Sequence, residues 1–190
     1  TLRCPGAENC KEKEILWMWK QYKKNLKKKK RAKIFSPYMQ RVVEYYLSTE
    51  TEDHLPPLEA FGANSAALTV RAHFLKRRLR NLNLLEAYPP LTVLRLGSAL
   101  RISKSHLAGY KSAISGEESR QVILEGLLKQ DFVFIYQQDF QRLCHNNDAF
   151  EAFICAITAF LKYKGYTEEP PKDVPLKQGW IENPTSSFDL

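Results

Sequence analysis

The sequence predicts an α/β domain in which helices flank a sheet. Three observations predict this class: a helix over residues 144–163 has a face of small residues, Leu84–Tyr88 is a clear short strand, and 190 residues suffice for one domain with a real core. Small residues let a helix lie close against strands. Only two or three strands are recognisable. We therefore expect residues 1–190 to form a single domain, the C-terminal portion of a fold whose main strands precede Thr1.

The helix over residues 144–163 carries the only arrangement of acidic residues that suggests chemistry. Asn146 or Asn147 supplies an N-cap oxygen, and Gly165 marks the expected end. Asp148 lies in the first turn and Glu151 one turn later on the same side. First-turn acids commonly serve the helix dipole, so the spacing alone favours a structural role over metal binding. The predicted small-residue stripe after Asp148 is Ala152, Cys155 and Ala159, and the predicted core face is Phe150, Phe153, Ile154, Ile157, Phe160 and Leu161.

Two basic segments contribute to a formal net charge of +8 and a pI near 9.3. Residues 11–33 are predicted to form a basic helical segment, whose lysine run either contacts phosphates or stays solvated. A second basic helix is predicted within residues 62–81. The charge permits a polyanionic partner without establishing one. The predicted buried stripe of the first segment is Ile15, Leu16, Trp19, Tyr22 and Leu26. In the second segment, Leu68, Ala72, Leu75 and Leu79 have helical spacing.

The remaining segments alternate between helical and extended patterns. Residues 34–47 predict a strand or a short helix, residues 92–100 and 117–129 predict helices, and residues 179–181 predict an edge strand. Glu86 lies at the centre of the Leu84–Tyr88 strand. A buried carboxylate without a partner is costly, so we expect Glu86 to lie at an edge, pair with a basic side chain or bind a cation.

Cysteine usage and hydropathy bear on the compartment. Cys4 and Cys10 bracket a short loop, and we favour two ordinary thiols over a disulfide or a zinc half-site, since the spacing exceeds the usual two to four residues. No apolar run reaches about 18 residues, so we expect no membrane span. The first residues resemble no secretory signal, and we predict a cytoplasmic protein.

Six stretches, taken in order, resemble one protein family over nearly the whole chain. They are CPG followed by WMW, then SPYMQRVVEYYL, FGANSAALTVRAHFLKRRL, LLEAYPP, NDAFEAFICAITAFL and GWIENP. This series resembles domain-of-unknown-function family 429 (DUF429), whose members are predicted RNase H-like nucleases. The acidic helix also resembles the last helix of RuvC-type resolvases. The resemblance implies an RNase H-like mixed sheet flanked by helices.

The same resemblance implies a metal-dependent hydrolase. Asp148 and Glu151 would hold Mg²⁺ or Mn²⁺, and Glu86 would be a third catalytic carboxylate. Family members carry two further aspartates on strands that would precede Thr1, so this chain would hold part of a two-metal site. Glu151 also departs from the aspartate expected there, although glutamate still ligates metal.

Three functions remain open at this point. The first is nucleic-acid hydrolysis, for which Gln40, Arg41, Arg71 and Lys76 are candidate phosphate contacts. The second is a non-catalytic module of the same fold that binds nucleic acid or protein. The third is phosphohydrolase or transferase chemistry on a small phosphorylated molecule. A sheet without its main strands would also favour a partner chain or an oligomer that completes it.

Overall fold

The structure, a computed structural model, contains eight α-helices and no β-strand within the residues it describes. The prediction of an RNase H-like mixed sheet is therefore wrong. In the described part of the chain, extended backbone pairs only at two isolated bridges, Ala87 with Glu182 and Thr167 with Pro184. The described residues are 10–27, 35–51, 55–56, 58–62, 65–130 and 133–185.

The helices are distributed over two compact units. One unit comprises residues 1–84 and 170–180, and the other comprises residues 85–169 and 181–190. The first unit contains α1 (Lys13–Lys27), α2 (Val42–Thr49) and α3 (Ala66–Arg78). The second contains α4 (Pro89–Ala99), α5 (Lys104–Gly109), α6 (Gly116–Leu128), α7 (Gln137–His145) and α8 (Asn147–Tyr163).

The core of the first unit lies between α1 and α2. Trp17 and Met18 of α1 are buried there, whereas Leu16 and Leu26 of the predicted stripe are 46% and 49% exposed. The predicted face of α1 is therefore rotated from the observed one. The buried face also includes Asn25, whose amide donates to Glu50 Oε1 at 2.8 Å. Because this polar group is hydrogen-bonded, its burial is tolerated, and hydrophobic periodicity alone misses the face.

Helix α2 begins with a cap supplied by the Glu44 side chain. The Glu44 carboxylate accepts from the Arg41 backbone N–H at 2.9 Å and from Ala60 N–H at 3.0 Å. The Arg41 guanidinium donates to the other Glu44 oxygen through Nε and Nη2. Residues 34–47 were predicted as strand or helix, and this cap stabilises the helical alternative from Val42 onward.

The core of the second unit is formed mainly by α4, α6 and α8. Helix α4 approaches α5 closely at Gly97. A Cβ added at this position would lie 2.1 Å from Leu107 Cδ2. Between α4 and α8, the buried hydroxyls of Thr92 and Thr158 lie 2.8 Å apart and satisfy each other. The fully buried apolar side chains are Leu91, Val93, Leu96, Ile123, Leu124, Leu127, Phe150, Ile154 and Leu161.

The predicted N-cap of α8 and its predicted stop at Gly165 are confirmed. Asn146 caps the helix by accepting from Ala149 N–H at 2.9 Å. At the other end Gly165 adopts φ +79°, and the N–H groups of Gly165 and Tyr166 donate to the carbonyls of Lys162 and Leu161. The helix begins at Asn147, however, because Cys144 and His145 belong to α7.

The predicted strands and the predicted contact of α8 with a sheet are wrong, because single bridges take the place of β-ladders. Residues 84–88 contribute one bridge at Ala87, and Glu182 N–H donates to the Glu86 carbonyl at 2.8 Å. Residues 179–181 form no strand. The small stripe of α8 meets no sheet among the described residues, since Ala152 and Ala159 are exposed.

A buried arginine ties α6 to the neighbouring elements of the second unit. The Arg120 guanidinium donates to Cys144 O at 2.7 Å, to Tyr110 O at 2.5 Å and more distantly to His145 O. Gly116 leaves the room for it, because a Cβ there would lie 2.8 Å from Arg120 Nη1. This guanidinium therefore supplies donors to backbone carbonyls that the helices leave free.

We predict that Arg120→Met lowers the free energy of unfolding by about 2–4 kcal/mol, because two buried carbonyls lose their donors. Urea unfolding followed by circular dichroism measures the change. Arg142→Met on exposed α7 is the matched control and is expected to change stability by no more than about 0.5 kcal/mol. Equal stability of the two variants would contradict the assigned role of Arg120.

Candidate functional site

Glu151 is the centre of a polar cluster in the second unit. Its Oε1 accepts from the Tyr110 hydroxyl at 2.9 Å and pairs with Lys111 Nζ at 2.6 Å. Tyr110 is buried at the C-terminal end of α5, whereas Lys111 remains half exposed and also lies over the Tyr110 ring. Asp148, one turn earlier on α8, is exposed. The two acids predicted together therefore occupy different environments.

The charge of Glu151 disfavours ionisation of the groups around it. Burial raises the pKa of the Tyr110 hydroxyl, and the Glu151 carboxylate raises it further. The pKa values of Tyr88 and Cys155 are raised in the same way, by burial first and then by Glu151. Neutral hydroxyl and thiol groups thus surround one carboxylate whose charge is balanced by Lys111.

This arrangement does not fit the predicted magnesium or manganese site. A divalent cation on Glu151 would meet the Lys111 ammonium, which already occupies Oε1 at 2.6 Å. Within the described ranges no three or more histidine, cysteine, aspartate or glutamate side chains form a group suited to a metal, so Glu86 does not join Asp148 and Glu151. No hydrolytic step can therefore be derived from these three residues.

Two of the four predicted phosphate contacts are committed to the fold. Gln40 is buried, accepts from Ser36 N–H at 3.0 Å and donates to Leu58 O at 3.0 Å. Arg41 is neutralised by Glu44 in the cap of α2. Gln40 and Arg41 thus hold the fold together, and their assignment to phosphate binding stays a prediction. The signal available in the sequence is Glu44 at the third helical position, where a glutamate can accept from the backbone N–H of the residue before the helix.

The other two predicted phosphate contacts, Arg71 and Lys76, lie on α3, a helix whose side chains are unusually exposed to solvent. None of the side chains of α3 is buried, and Leu68 and Val70 are 72% and 67% exposed. The helix is attached locally through Thr69, whose hydroxyl donates to Ala60 O at 2.6 Å. Leu68, Ala72, Leu75 and Leu79, which share the predicted helical spacing, are all exposed.

Helix α3 presents cations together with an aromatic ring. The guanidinium carbons of Arg71 and Arg78 lie 5.2 and 5.0 Å from the centre of the Phe74 ring. This cation–π arrangement orders two guanidinium groups on one side of the helix. The sequence predicts the basic character of this helix but not the role of Phe74, although its i−3 and i+4 neighbours are both arginines.

One family comparison decides the classification of the chain. The family model described as a protein of unknown function (DUF429) matches residues 20–175. The chain belongs to the DUF429 family. No curated protein and no solved structure matches it.

The cysteines of this DUF429 chain differ from the favoured expectation. Cys10 is disulfide-bonded, so its sulfur is not a free thiolate ligand for zinc, while Cys4 lies outside the described residues. Cys144 and Cys155 are free thiols. No helix among the described residues has both the length and the apolar character to cross a membrane.

We predict that Tyr110→Phe flattens the alkaline dependence of stability. A tyrosine with a raised folded pKa keeps its proton after the unfolded chain ionises near pH 10. The contribution of Tyr110 to the free energy of unfolding is therefore complete below about pH 10 and is lost as the pH rises through the pKa of the folded state. Removing the hydroxyl should reduce the slope above pH 10 by up to about 1.4 kcal/mol per pH unit.

Urea titrations between pH 7 and 11 measure this slope. Tyr163→Phe is the control, because Tyr163 is 85% exposed on α8 of the same unit. The Tyr110→Phe variant should also lose about 1 kcal/mol at pH 7 with the Glu151 hydrogen bond. An alkaline slope identical to that of the wild type would show that Tyr110 is not the group protected by burial.

Proposed function

We propose that this DUF429 protein binds nucleic acid through the exposed basic helix α3. The observation that carries the proposal is a helix without buried side chains that combines four cations with an aromatic ring and has no acidic residue. Along the chain, no acid occurs between Glu59 and Glu86. A patch of this kind attracts a polyanion and releases its counterions on binding.

The distribution of charge on α3 favours nucleic acid over a membrane surface. A membrane-bound helix separates an apolar face from a charged one. On α3 the two kinds of side chain are mixed, since Phe74 lies between Arg71 and Arg78, and Val70 shares a side with Arg77. Arginine also suits phosphate recognition, because its planar guanidinium donates two parallel hydrogen bonds.

Helix α1 adds a second exposed basic surface to the same unit. Lys20, Lys23, Lys24 and Lys27 follow helical spacing and are all exposed. The rest of the predicted lysine run lies beyond Lys27, outside the described residues. These lysines would extend an electrostatic footprint, but they lack the ordered arginine–aromatic arrangement of α3.

We predict that the triple variant Arg71→Gln, Lys76→Gln and Arg78→Gln binds single-stranded oligonucleotides more weakly. Losing three phosphate contacts should reduce the slope of log K against log salt concentration by about 2, at roughly 0.7 per contact. Fluorescence anisotropy with a labelled 20-nucleotide strand, in EDTA and at several NaCl concentrations, measures both affinity and slope.

The matched control is Lys104→Gln, Lys129→Gln and Lys172→Gln, which removes the same charge from dispersed exposed positions. The slope of log K against log salt concentration for this control should stay within about 0.7 of the wild-type slope, which is the effect of one phosphate contact. Failure of the wild-type protein to bind the strand at low salt would overturn the proposal. Binding to anionic phosphatidylserine vesicles without binding to the strand would assign α3 to a membrane surface instead.

A further inference from the structure

A cleft in the second unit contains exposed aromatic rings beside an arginine. It has a volume of about 430 Å³ and lies between residues 134–136, α7 and α8. This size falls within the range of small-molecule sites. The side chains that matter for its chemistry are Phe134, Tyr136, Asp139, Arg142, Ala152 and Phe153.

The aromatic rings at the mouth of the cleft are open to solvent. Phe134 is 78% exposed and Tyr136 is 66% exposed, although they contact each other with centroids 5.0 Å apart and planes at 85°. In this perpendicular arrangement the two rings leave ring faces accessible. Large aromatic side chains presented in this way form a surface on which a planar ring can stack.

The polar groups of the cleft are available for a ligand. Asp139 and Arg142 lie one turn apart on exposed α7, and neither side chain has an ion pair or hydrogen bond within the described part of the chain. Arg142 offers donors for a phosphate, whereas the Asp139 carboxylate repels an anion and accepts from amino groups. An aromatic ring with amino groups and an attached anion matches both residues.

We propose that this cleft binds one nucleotide, with its base on Phe134 and Tyr136 and its phosphate on Arg142. The small side chains of Ala149 and Ala152 leave space along α8 for the base, and Phe153 closes one side. The nucleotide is either free or part of a single strand. Only the second source rests on the proposed function of α3. Duplex nucleic acid is excluded because its bases are already stacked.

A mononucleotide separates this inference from the role of α3. Ligand-observed saturation-transfer NMR compares adenosine 5′-monophosphate with ribose 5-phosphate on the wild-type chain. We expect transfer to the base protons of the nucleotide and much weaker transfer to the sugar phosphate. The double variant Phe134→Ala and Tyr136→Ala should lose the base signal, whereas Tyr163→Ala on the same unit should keep it.

Oligonucleotides then identify the source of the nucleotide. Anisotropy is measured with a 12-nucleotide strand and with an abasic strand that carries the same phosphates. If a strand is the ligand, the double aromatic variant loses about fivefold or more in affinity for the first strand and none for the abasic strand. Retention of mononucleotide binding with equal affinity for both strands assigns the cleft to a free nucleotide.

Two results would overturn the inference. The first is the absence of a base signal with adenosine 5′-monophosphate at millimolar concentration, whatever the α3 variant shows with the long strand. The second is retention of mononucleotide binding by a variant that lacks a proposed contact. It is measured on the double aromatic variant or, if that variant loses its circular dichroism spectrum, on Arg142→Gln, which is expected to fold normally. Loss of oligonucleotide binding in the α3 variant alone would leave the cleft assignment intact.

Discussion

The buried guanidinium of Arg120 is the interaction on which the second unit depends. A buried cation is unfavourable unless its donors are satisfied. Arg120 satisfies them with carbonyl oxygens of Tyr110, Cys144 and His145, and the last two belong to the negative end of the α7 dipole. These bonds fix the chain at Tyr110 and the junction of α7 with α8. The same residues therefore determine where Tyr110 and Lys111 meet Glu151.

Two constrained carboxylates among the described residues, Glu44 and Glu151, stabilise structure. Glu44 is surrounded by backbone N–H groups and the Arg41 guanidinium, and Glu151 is held by a tyrosine hydroxyl and a lysine. Each has its charge compensated by donors of the protein itself. The surfaces open to ligands are instead cationic or aromatic: α3 in one unit, and the cleft of Phe134 and Tyr136 in the other.

The acidic helix shows how much of a site the sequence can predict. Capping by Asn146, the stop at Gly165 and most of the buried face follow from local rules, and the structure confirms them. The hydrogen bond from Tyr110 and the ion pair from Lys111 come from about 40 residues earlier in the chain. No periodicity within the helix encodes such partners. Two acids one turn apart therefore suggest a metal site, whereas in the tertiary structure Glu151 contacts Tyr110 and Lys111.

The sequence by itself determined the family, the presence of most long helices and the two basic segments, because capping, periodicity and charge act over a few residues. Tertiary structure alone decided which faces are covered. The stripes of α3 and α8 have the spacing of buried surfaces, yet Leu68 and Ala152 are exposed. The spacing of residues along a helix indicates that a face can be buried, but its burial requires a second element that packs on it.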